Sequence, residues 1–309
     1  MRKKYILKNA DDDRNFWEEN WFVTNLEDAV RFCGESPVTP VLDKYFPKKG
    51  KILEGGCGPG YFVIYYSRMG YDMEGVDFAK GAINRTLSVY PETPIKEGNV
   101  LELDYPDNYF KAYYSGGVVE HFEDGPYAAL KEAYRVLDKD GTLIISVPYF
   151  NLSRRINTYK NPALLINGSS DVYPDFDGFK SVYKLTPRHN RDGLNREGFS
   201  FHQYEYTKNE FARILDESGF DIILNRPLSI IWGLRDFSFI RKAMAEYSNQ
   251  SISKIADSAS AKPAVRSRDS FLKNLILKED RNLPFAGPLL KVLGAGFANL
   301  ILFVCKVRK

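Results

Sequence analysis

Four residues between two apolar segments have the types and spacing of a nucleotide-binding turn. The segment Lys51–Leu53 predicts a buried strand, Glu54 follows at its carboxyl end, and glycines alternate at positions 56, 58 and 60. Tyr61 then opens an apolar run that predicts a helix. Glycine is needed where the backbone takes a positive φ and comes close to a ligand. A strand, a glycine turn and a helix N-terminus together predict a ligand-binding corner of an α/β sheet.

The glycine spacing separates three kinds of turn. A phosphate-binding loop needs lysine and then serine or threonine after its last glycine, but Tyr61 and Phe62 follow Gly60. A dinucleotide-binding turn that starts at Gly56 needs its third glycine at position 61, which is tyrosine. The remaining interpretation is an acidic residue followed by three alternating glycines. A glycine-rich loop without a ligand stays the alternative.

This pattern resembles motif I of the class I S-adenosylmethionine-dependent methyltransferases, and later motifs strengthen the resemblance. Asp77 ends the second predicted strand, Asn99 follows the third, and Glu120 and His121 follow the fourth. The implied ligand has no phosphate and carries a sulfonium and an ammonium group, so nearby carboxylates suit it electrostatically. The expected cofactor-binding residues are Glu54, Gly56, Cys57, Gly58, Gly60, Asp77, Phe78, Asn99, Val100 and Gly116.

The resemblance also implies roles for individual side chains. Asp77 would accept hydrogen bonds from the ribose hydroxyls, as an acidic residue does in a nucleotide corner. A helix cap is a second, compatible role for Asp77. The family usually has aspartate at the position of Asn99, where it contacts the adenine amino group. Asn99 keeps an acceptor oxygen but loses the charge, and Val100 would pack on the adenine face.

A hydroxyl acceptor needs a base, and the chain has three histidines, His121, His189 and His202. His121 follows the fourth strand, at the edge of the sheet where ligands bind. His202 alternates with Tyr204 and Tyr206, which predicts a common strand face. His121 and His202 are therefore the candidate catalytic residues, and a structural role for either stays open. The sequence predicts no metal site.

Two motifs of nucleic-acid methyltransferases are missing from the sequence. Enzymes that methylate base amino groups typically carry Asn/Asp-Pro-Pro-Tyr after the fourth strand, where this chain has Ser115-Gly-Gly-Val. Cytosine-C5 enzymes use a Pro-Cys nucleophile, and no cysteine of this chain follows a proline. We therefore expect a small-molecule, saccharide or lipid-linked acceptor, methylated at oxygen or nitrogen, rather than nucleic acid. The alternative is a non-catalytic S-adenosylmethionine-binding or scaffold protein.

The elements around these motifs predict the α/β, Rossmann-like class I methyltransferase fold, with a seven-stranded mixed sheet and two insertions. We expect residues 1–36 to form an N-terminal helical lid and residues 37–148 to form the cofactor-binding core. Residues 149–200 would be an insertion on the substrate side. Residues 201–309 would supply the remaining core strands, interrupted by a basic insertion at about 227–296.

Charge and composition indicate which partners and which cellular compartment to expect. Residues 241–309 hold 13 Lys/Arg against 5 Asp/Glu, which predicts a solvated surface or a contact with an acidic acceptor or an anionic membrane. The three cysteines show no metal-binding or Cys-x-x-Cys spacing, which favours a reducing cytoplasm. The N-terminus lacks a secretory signal, and the apolar stretch between Lys291 and Lys306 is shorter than the ~20 residues that cross a bilayer. We expect a cytoplasmic protein, with peripheral membrane contact left open; the oligomeric state does not follow.

Overall fold

The computed structural model describes residues 1–7, 16–17, 25–160, 173–174, 180–189, 191, 198–233 and 293–309. Its strands are β1 (Arg2–Leu7), β2 (Ile52–Gly55), β3 (Met73–Asp77), β4 (Ile95–Glu97), β5 (Phe110–Gly116), β6 (Leu137–Pro148), β7 (Tyr173–Pro174), β8 (Lys180–Leu185), β9 (Phe199–Glu205), β10 (Phe220–Leu228) and β11 (Leu300–Val307). Helices in these ranges include α1 (Leu26–Cys33), α2 (Thr39–Tyr45), α3 (Tyr61–Arg68), α4 (Lys80–Val89), α5 (Tyr127–Val136), α6 (Leu152–Lys160), α7 (Lys208–Glu217) and α8 (Ile230–Gly233), and Val119–His121 is a 3₁₀ turn.

The larger sheet has seven strands in the order β10-β11-β6-β5-β2-β3-β4. The strands from β4 to β6 run parallel, whereas β11 pairs antiparallel with both β6 and β10. This arrangement confirms the predicted seven-stranded mixed sheet. The chain moves outward in one direction from β2 through β3 to β4, and in the other from β5 to β6. The order therefore reverses between β2 and β5, and a crevice at the carboxyl ends of these strands is where such sheets bind ligands.

The alternation of side chains along the central strands divides the core between the two faces of the sheet. Leu53, Leu143 and Ile145 belong to one apolar cluster, and their neighbours Ile52 and Ile144 belong to the other. All five side chains are buried. A parallel strand covered on both faces needs this continuous apolar sequence. The rigid sheet that results fixes the polar residues at its carboxyl edge.

A second, four-stranded sheet has the order β7-β8-β1-β9, and it corrects two expectations. Residues 1–36 were expected to be helical, but β1 is a strand that pairs antiparallel with β8 and β9. Residues 201–309 were expected to supply core strands, whereas β9 pairs with β1 in the second sheet. The basic residues at the start of β1 gave no sign of a buried strand in the sequence. They are buried in the structure because acidic residues that are distant in the chain lie next to them. Arg2 Nε donates to Glu205 Oε2 at 2.6 Å, and Lys3 Nζ lies 3.7 Å from Glu123 Oε1.

The two predicted insertions are described to different extents. Within 149–200 the structure contains α6, β7 and β8, so part of this insertion builds the second sheet. The basic insertion at about 227–296 falls mostly on residues 234–292, which lie outside the described residues. In the part of the chain that is described, no helix has both the length and the apolarity to cross a membrane.

Candidate functional site

The turn between β2 and α3 has the backbone conformation that its glycines predict. Gly56, Gly58 and Gly60 have φ values of 77°, 53° and 75°, in the left-handed region that other residues rarely adopt. Space is also limiting at Gly56, where an added Cβ would lie 2.3 Å from Val118 Cγ2. The turn therefore requires glycine at Gly56 for two independent reasons.

A cavity of about 510 Å³ opens beside this turn, at the carboxyl ends of the central strands. Five of the predicted cofactor-binding residues line it, together with several residues that the sequence did not single out. Its walls are formed by Trp17, Gly56, Asp77, Phe78, Glu97, Gly98, Asn99, Val100, Gly117, Val118, His121 and Phe122. The volume is in the range of ligand pockets, which hold about 300–1,000 Å³. The predicted residues from three separate strand ends thus share one cavity.

Asp77 connects the glycine turn to the start of α4. Its Oδ2 accepts a hydrogen bond from the Gly58 backbone N–H at 2.8 Å, and its Oδ1 accepts one from Ala79 N–H at 2.8 Å. The side chain is only 5% exposed, and burial raises its pKa while these N–H groups oppose the rise. Each carboxylate oxygen keeps a second acceptor site. Asp77 can therefore shape the turn and still accept hydrogen bonds from a ligand in the cavity.

Glu54 is a buried carboxylate that lacks a complete set of partners. It is 6% exposed, the Val63 backbone N–H hydrogen-bonds it, and Oε2 has no hydrogen-bond partner within the described residues. Burial raises its pKa well above the ordinary value, and the negative charge of Asp77 raises it further. A cation near this pair would relieve both effects. The orphaned oxygen thus fits a ligand that carries sulfonium and ammonium groups.

Other predicted cofactor residues support the turn from behind the cavity. Cys57 is buried, its Sγ donates to the Gly58 carbonyl at 3.5 Å, and it packs against Gly75 of β3. Glu54, Cys57, Gly58, Gly60 and Gly116 are absent from the cavity walls, and Gly117 lies there instead of Gly116. Five of the ten expected cofactor-binding residues thus line the cavity, and the other five lie outside its walls.

Asn99 lies where β4 has ended, at the rim of the cavity. Its Oδ1 already accepts from the Leu101 backbone N–H at 2.9 Å, in a local turn. An amide oxygen has two acceptor sites, and the amide nitrogen has two protons. Asn99 could therefore accept from, or donate to, a polar group of a ligand, while buried Val100 supplies apolar surface beside it.

The structure brings the two candidate catalytic histidines together through a backbone carbonyl. His121 Nδ1 lies 2.6 Å from the His202 carbonyl oxygen, and the two ring centroids are 5.0 Å apart. Because a carbonyl can only accept, Nδ1 carries the proton and Nε2 has the lone pair of the neutral ring. His189, the third histidine, donates to or accepts from Tyr206 Oη at 2.9 Å, and burial lowers its pKa to about 4.

A second cavity of about 430 Å³ adjoins the first and shares Trp17, His121 and Phe122 with it. Its walls combine aromatic rings with charged groups; they include Phe16, Glu123, Asp124, Arg191, Phe201 and His202. Trp17 packs edge-on against the His121 ring, with centroids 4.7 Å apart. Trp17 belongs to the segment 1–36 that was expected to form a helical lid, but the sequence did not single out Trp17 as a residue of the site.

The described residues contain no set of side chains placed to bind a metal ion. Within those ranges, no group of three or more histidine, cysteine, aspartate or glutamate side chains is arranged to hold a metal ion. The three cysteines are free and buried. The polar side chains that line the two cavities include carboxylates, imidazoles, the Asn99 amide and the Arg191 guanidinium.

Residues 53–145 match the family model described as a methyltransferase domain. This part of the chain is a methyltransferase domain. The matched residues contain the glycine turn, Asp77, Asn99 and the Glu120-His121 pair. The motif order and the strand order thus give the same assignment.

Curated relatives match about a third of the chain. A probable S-adenosylmethionine-dependent methyltransferase of Mycolicibacterium smegmatis is 30% identical over 97 residues, which cover 31% of this chain and 37% of that protein. A malonyl-[acyl-carrier protein] O-methyltransferase of Erwinia billingiae is 26% identical over 118 residues, 38% of this chain and 45% of that protein. The chain thus spans less than half the length of these relatives.

Solved structures resemble the whole fold at low sequence identity. A Haloferax volcanii putative methyltransferase, in complex with the Trm112 methyltransferase activator, aligns with a TM-score of 0.52 and 11% identity over 97% of this chain and 100% of that chain. Haemonchus contortus phosphoethanolamine N-methyltransferase 2, in complex with S-adenosylmethionine, aligns with a TM-score of 0.52 and 14% identity over 97% of this chain and 61% of that chain. These likenesses concern the fold alone.

Proposed function

We propose that the protein transfers the methyl group of S-adenosylmethionine to a hydroxyl group of a small-molecule or saccharide acceptor. The observation that carries this proposal is the pair of adjoining cavities, which meet at Trp17, His121 and Phe122. A cofactor in one cavity and an acceptor in the other would place their reacting groups beside His121. Holding two reactants in such an arrangement is the main requirement of a direct displacement.

The larger cavity suits the cofactor group by group. Asp77 has acceptor sites for ribose hydroxyls, and Asn99 and Val100 offer a polar and an apolar contact for adenine. The methionine end would lie toward Gly56, where the carboxylates of Glu54 and Asp77 favour positive charge. When bound, the cofactor supplies an electrophilic methyl group that leaves as the sulfonium becomes a neutral thioether.

The smaller cavity suits a ring-shaped acceptor that carries a hydroxyl group. Its volume of about 430 Å³ fits a small molecule. The ring centroids of Phe16, Trp17 and His202 lie within 6.2 Å of one another. Such rings pack well against flat apolar surfaces. Asp124 and Arg191, joined by a hydrogen bond of 2.8 Å, place polar groups at the rim.

His121 would act as the base for the acceptor hydroxyl. Its Nδ1 proton donates to the His202 carbonyl, so the ring presents the Nε2 lone pair for proton transfer. In this proposal His202 contributes its backbone carbonyl and ring packing rather than a proton-accepting nitrogen. A relative named as an O-methyltransferase accords with an oxygen acceptor.

The first experiment tests cofactor binding, and the second tests turnover. Isothermal titration should show binding of S-adenosylmethionine and S-adenosylhomocysteine to the full chain. Co-purified small molecules, and then panels of phenols and saccharides, would be assayed for S-adenosylhomocysteine formation. His121→Gln should lower kcat about 10²–10⁴-fold, the usual contribution of general acid–base catalysis, with little change in cofactor affinity.

His189→Gln is the matched control, because His189 lines neither cavity. It should keep most of the activity. If the wild-type chain binds the cofactor but forms no product with any acceptor, the non-catalytic alternative is favoured. Equal rates for wild type and His121→Gln would remove His121 as the base and favour an amine acceptor.

A further inference from the structure

Glu120 is the most deeply buried carboxylate near the two cavities. It lies in the 3₁₀ turn immediately before His121 and is 2% exposed. Its Oε2 has no hydrogen-bond partner among the residues that the structure describes. A Cβ added at Gly117, which lines the cofactor cavity, would be 3.5 Å from Glu120 Oε1. The carboxylate therefore lies directly behind the wall of that cavity.

The same carboxylate faces the nitrogen that would take the acceptor proton. Glu120 Oε1 lies 4.0 Å from His121 Nε2, on the other side of the ring from the His202 carbonyl that receives the Nδ1 proton. The His202 ring lies 5.0 Å from the His121 ring, and buried Tyr206 is a further titratable neighbour of Glu120. Other acids line the two cavities that share His121, namely Asp77 and Glu97 in one cavity and Glu123 and Asp124 in the other. Glu120 is the acid whose oxygen lies 4.0 Å from His121 Nε2.

We propose that Glu120 is a positioning residue whose carboxylate stabilises the imidazolium form of His121 during methyl transfer; this inference rests on the proposed function. In the step, the acceptor oxygen bonds to the methyl carbon and the carbon–sulfur bond breaks, leaving its electron pair on sulfur. The acceptor proton moves to His121 Nε2. The new positive charge is then 4.0 Å from the Glu120 carboxylate.

This role explains why Glu120 is buried although its carboxylate lacks a complete set of hydrogen-bond partners. Buried polar groups are nearly always paired, so each exception needs a reason. Burial raises the pKa of Glu120 to about 8, which shows the cost of its charge in the resting protein. A cation formed at His121 lowers that cost, since opposite charges within about 4–6 Å favour the ionised forms. The two groups therefore titrate as a coupled pair.

The test is a titration of the three histidine rings by NMR, which needs no known acceptor. Signals are assigned with His189→Gln and His202→Gln. In wild type, the His121 ring should report a second titration near pH 8, from Glu120. In Glu120→Gln this second step should vanish, and the midpoint of His121 should fall by about one pH unit. Nitrogen shifts should show the proton on Nδ1 in both proteins.

Controls keep the inference separable from a folding defect and from the proposed function. Glu92→Gln removes an equal charge from an exposed turn and should change none of the three titrations. Glu120→Asp, which moves the carboxylate away from Nε2, should give an intermediate shift if Glu120→Gln does not fold. Titration of S-adenosylhomocysteine into each variant should give a Kd within twofold of wild type. Failure of binding in wild type would refute the proposed function without touching the coupling of Glu120 and His121.

With an acceptor in hand, kinetics provide the second readout. Glu120→Gln should lower kcat by roughly ten- to a hundredfold, with KM for the cofactor nearly unchanged, because the charge that it neutralises forms only during reaction. Glu120→Asp should restore part of the rate. An unchanged His121 midpoint in Glu120→Gln, or a rate equal to wild type, would overturn the inference.

Discussion

Asp77→Asn tests whether this carboxylate both shapes the turn and binds the cofactor. In the structure each oxygen accepts from a backbone N–H, one from Gly58 and one from Ala79. Asparagine keeps one acceptor, but its amide nitrogen must then face a second N–H donor. The isosteric change therefore replaces one hydrogen bond with a donor–donor contact inside a site that is 5% exposed at Asp77. Asn should therefore disturb the turn, although it keeps one of the two hydrogen bonds that Ala would lose.

The magnitudes follow from hydrogen bonds to a charged group, about 1.5–3 kcal/mol each. Losing one such bond to the ribose should raise the Kd of S-adenosylhomocysteine roughly 10- to 150-fold. Losing one to the turn should lower the free energy of unfolding by about 1.5–3 kcal/mol. Isothermal titration and urea unfolding measure the two quantities, and exposed Asp104, as Asp104→Asn, is the matched control. A Kd within twofold of wild type for Asp77→Asn would refute the ribose contact.

The remaining predictions concern the turn, the buried acid and the shared wall. Gly56→Ala should weaken cofactor binding at least tenfold by titration calorimetry, because its Cβ would lie 2.3 Å from Val118 Cγ2 at a φ of 77°. Glu120 has a pKa of about 8 against an ordinary 4.5, so the folded state holds more protons between these pH values and wild-type stability should fall as pH rises through this window. Glu120→Gln should remove this pH dependence, which amounts to at most roughly 1.4 kcal/mol per pH unit. Urea unfolding from pH 5 to 8.5 measures the free energy of unfolding of both proteins. Parallel plots of this free energy against pH would contradict the prediction. Trp17→Ala should raise both the acceptor KM and the cofactor Kd, since Trp17 lies in both cavities; an unchanged acceptor KM would contradict an acceptor in the second cavity.

Local requirements made the cofactor side of the site predictable from sequence. Gly56 and Gly58 are needed by backbone geometry, and Asp77 ends a strand whose apolar residues show where it runs. Such signals are contained within a few residues and need no knowledge of distant contacts.

The acceptor side depends on contacts that no local pattern encodes. Arg2 is hydrogen-bonded to Glu205, which is 203 positions away in the chain. This pairing allows a basic segment to be buried as a strand. The expected alternation of His202 with Tyr204 also meets an irregularity. Lys4 is opposite Gln203 while Tyr5 is opposite Phe201, so β9 has an extra residue at His202. Phe201 packs against Tyr204, with ring centroids 5.0 Å apart.

That extra residue has a chemical consequence, because it lies where the second sheet meets the first. A bulge leaves a residue outside the regular ladder and re-aims its neighbours. Here the bulged residue is His202, and its carbonyl accepts the Nδ1 proton of His121 instead of continuing a regular strand contact. The pairing of β9 with β1 therefore sets the tautomer of the proposed base. The larger sheet builds the cofactor cavity, whereas the smaller sheet, through one irregular position, prepares the ring at the point where both cavities meet.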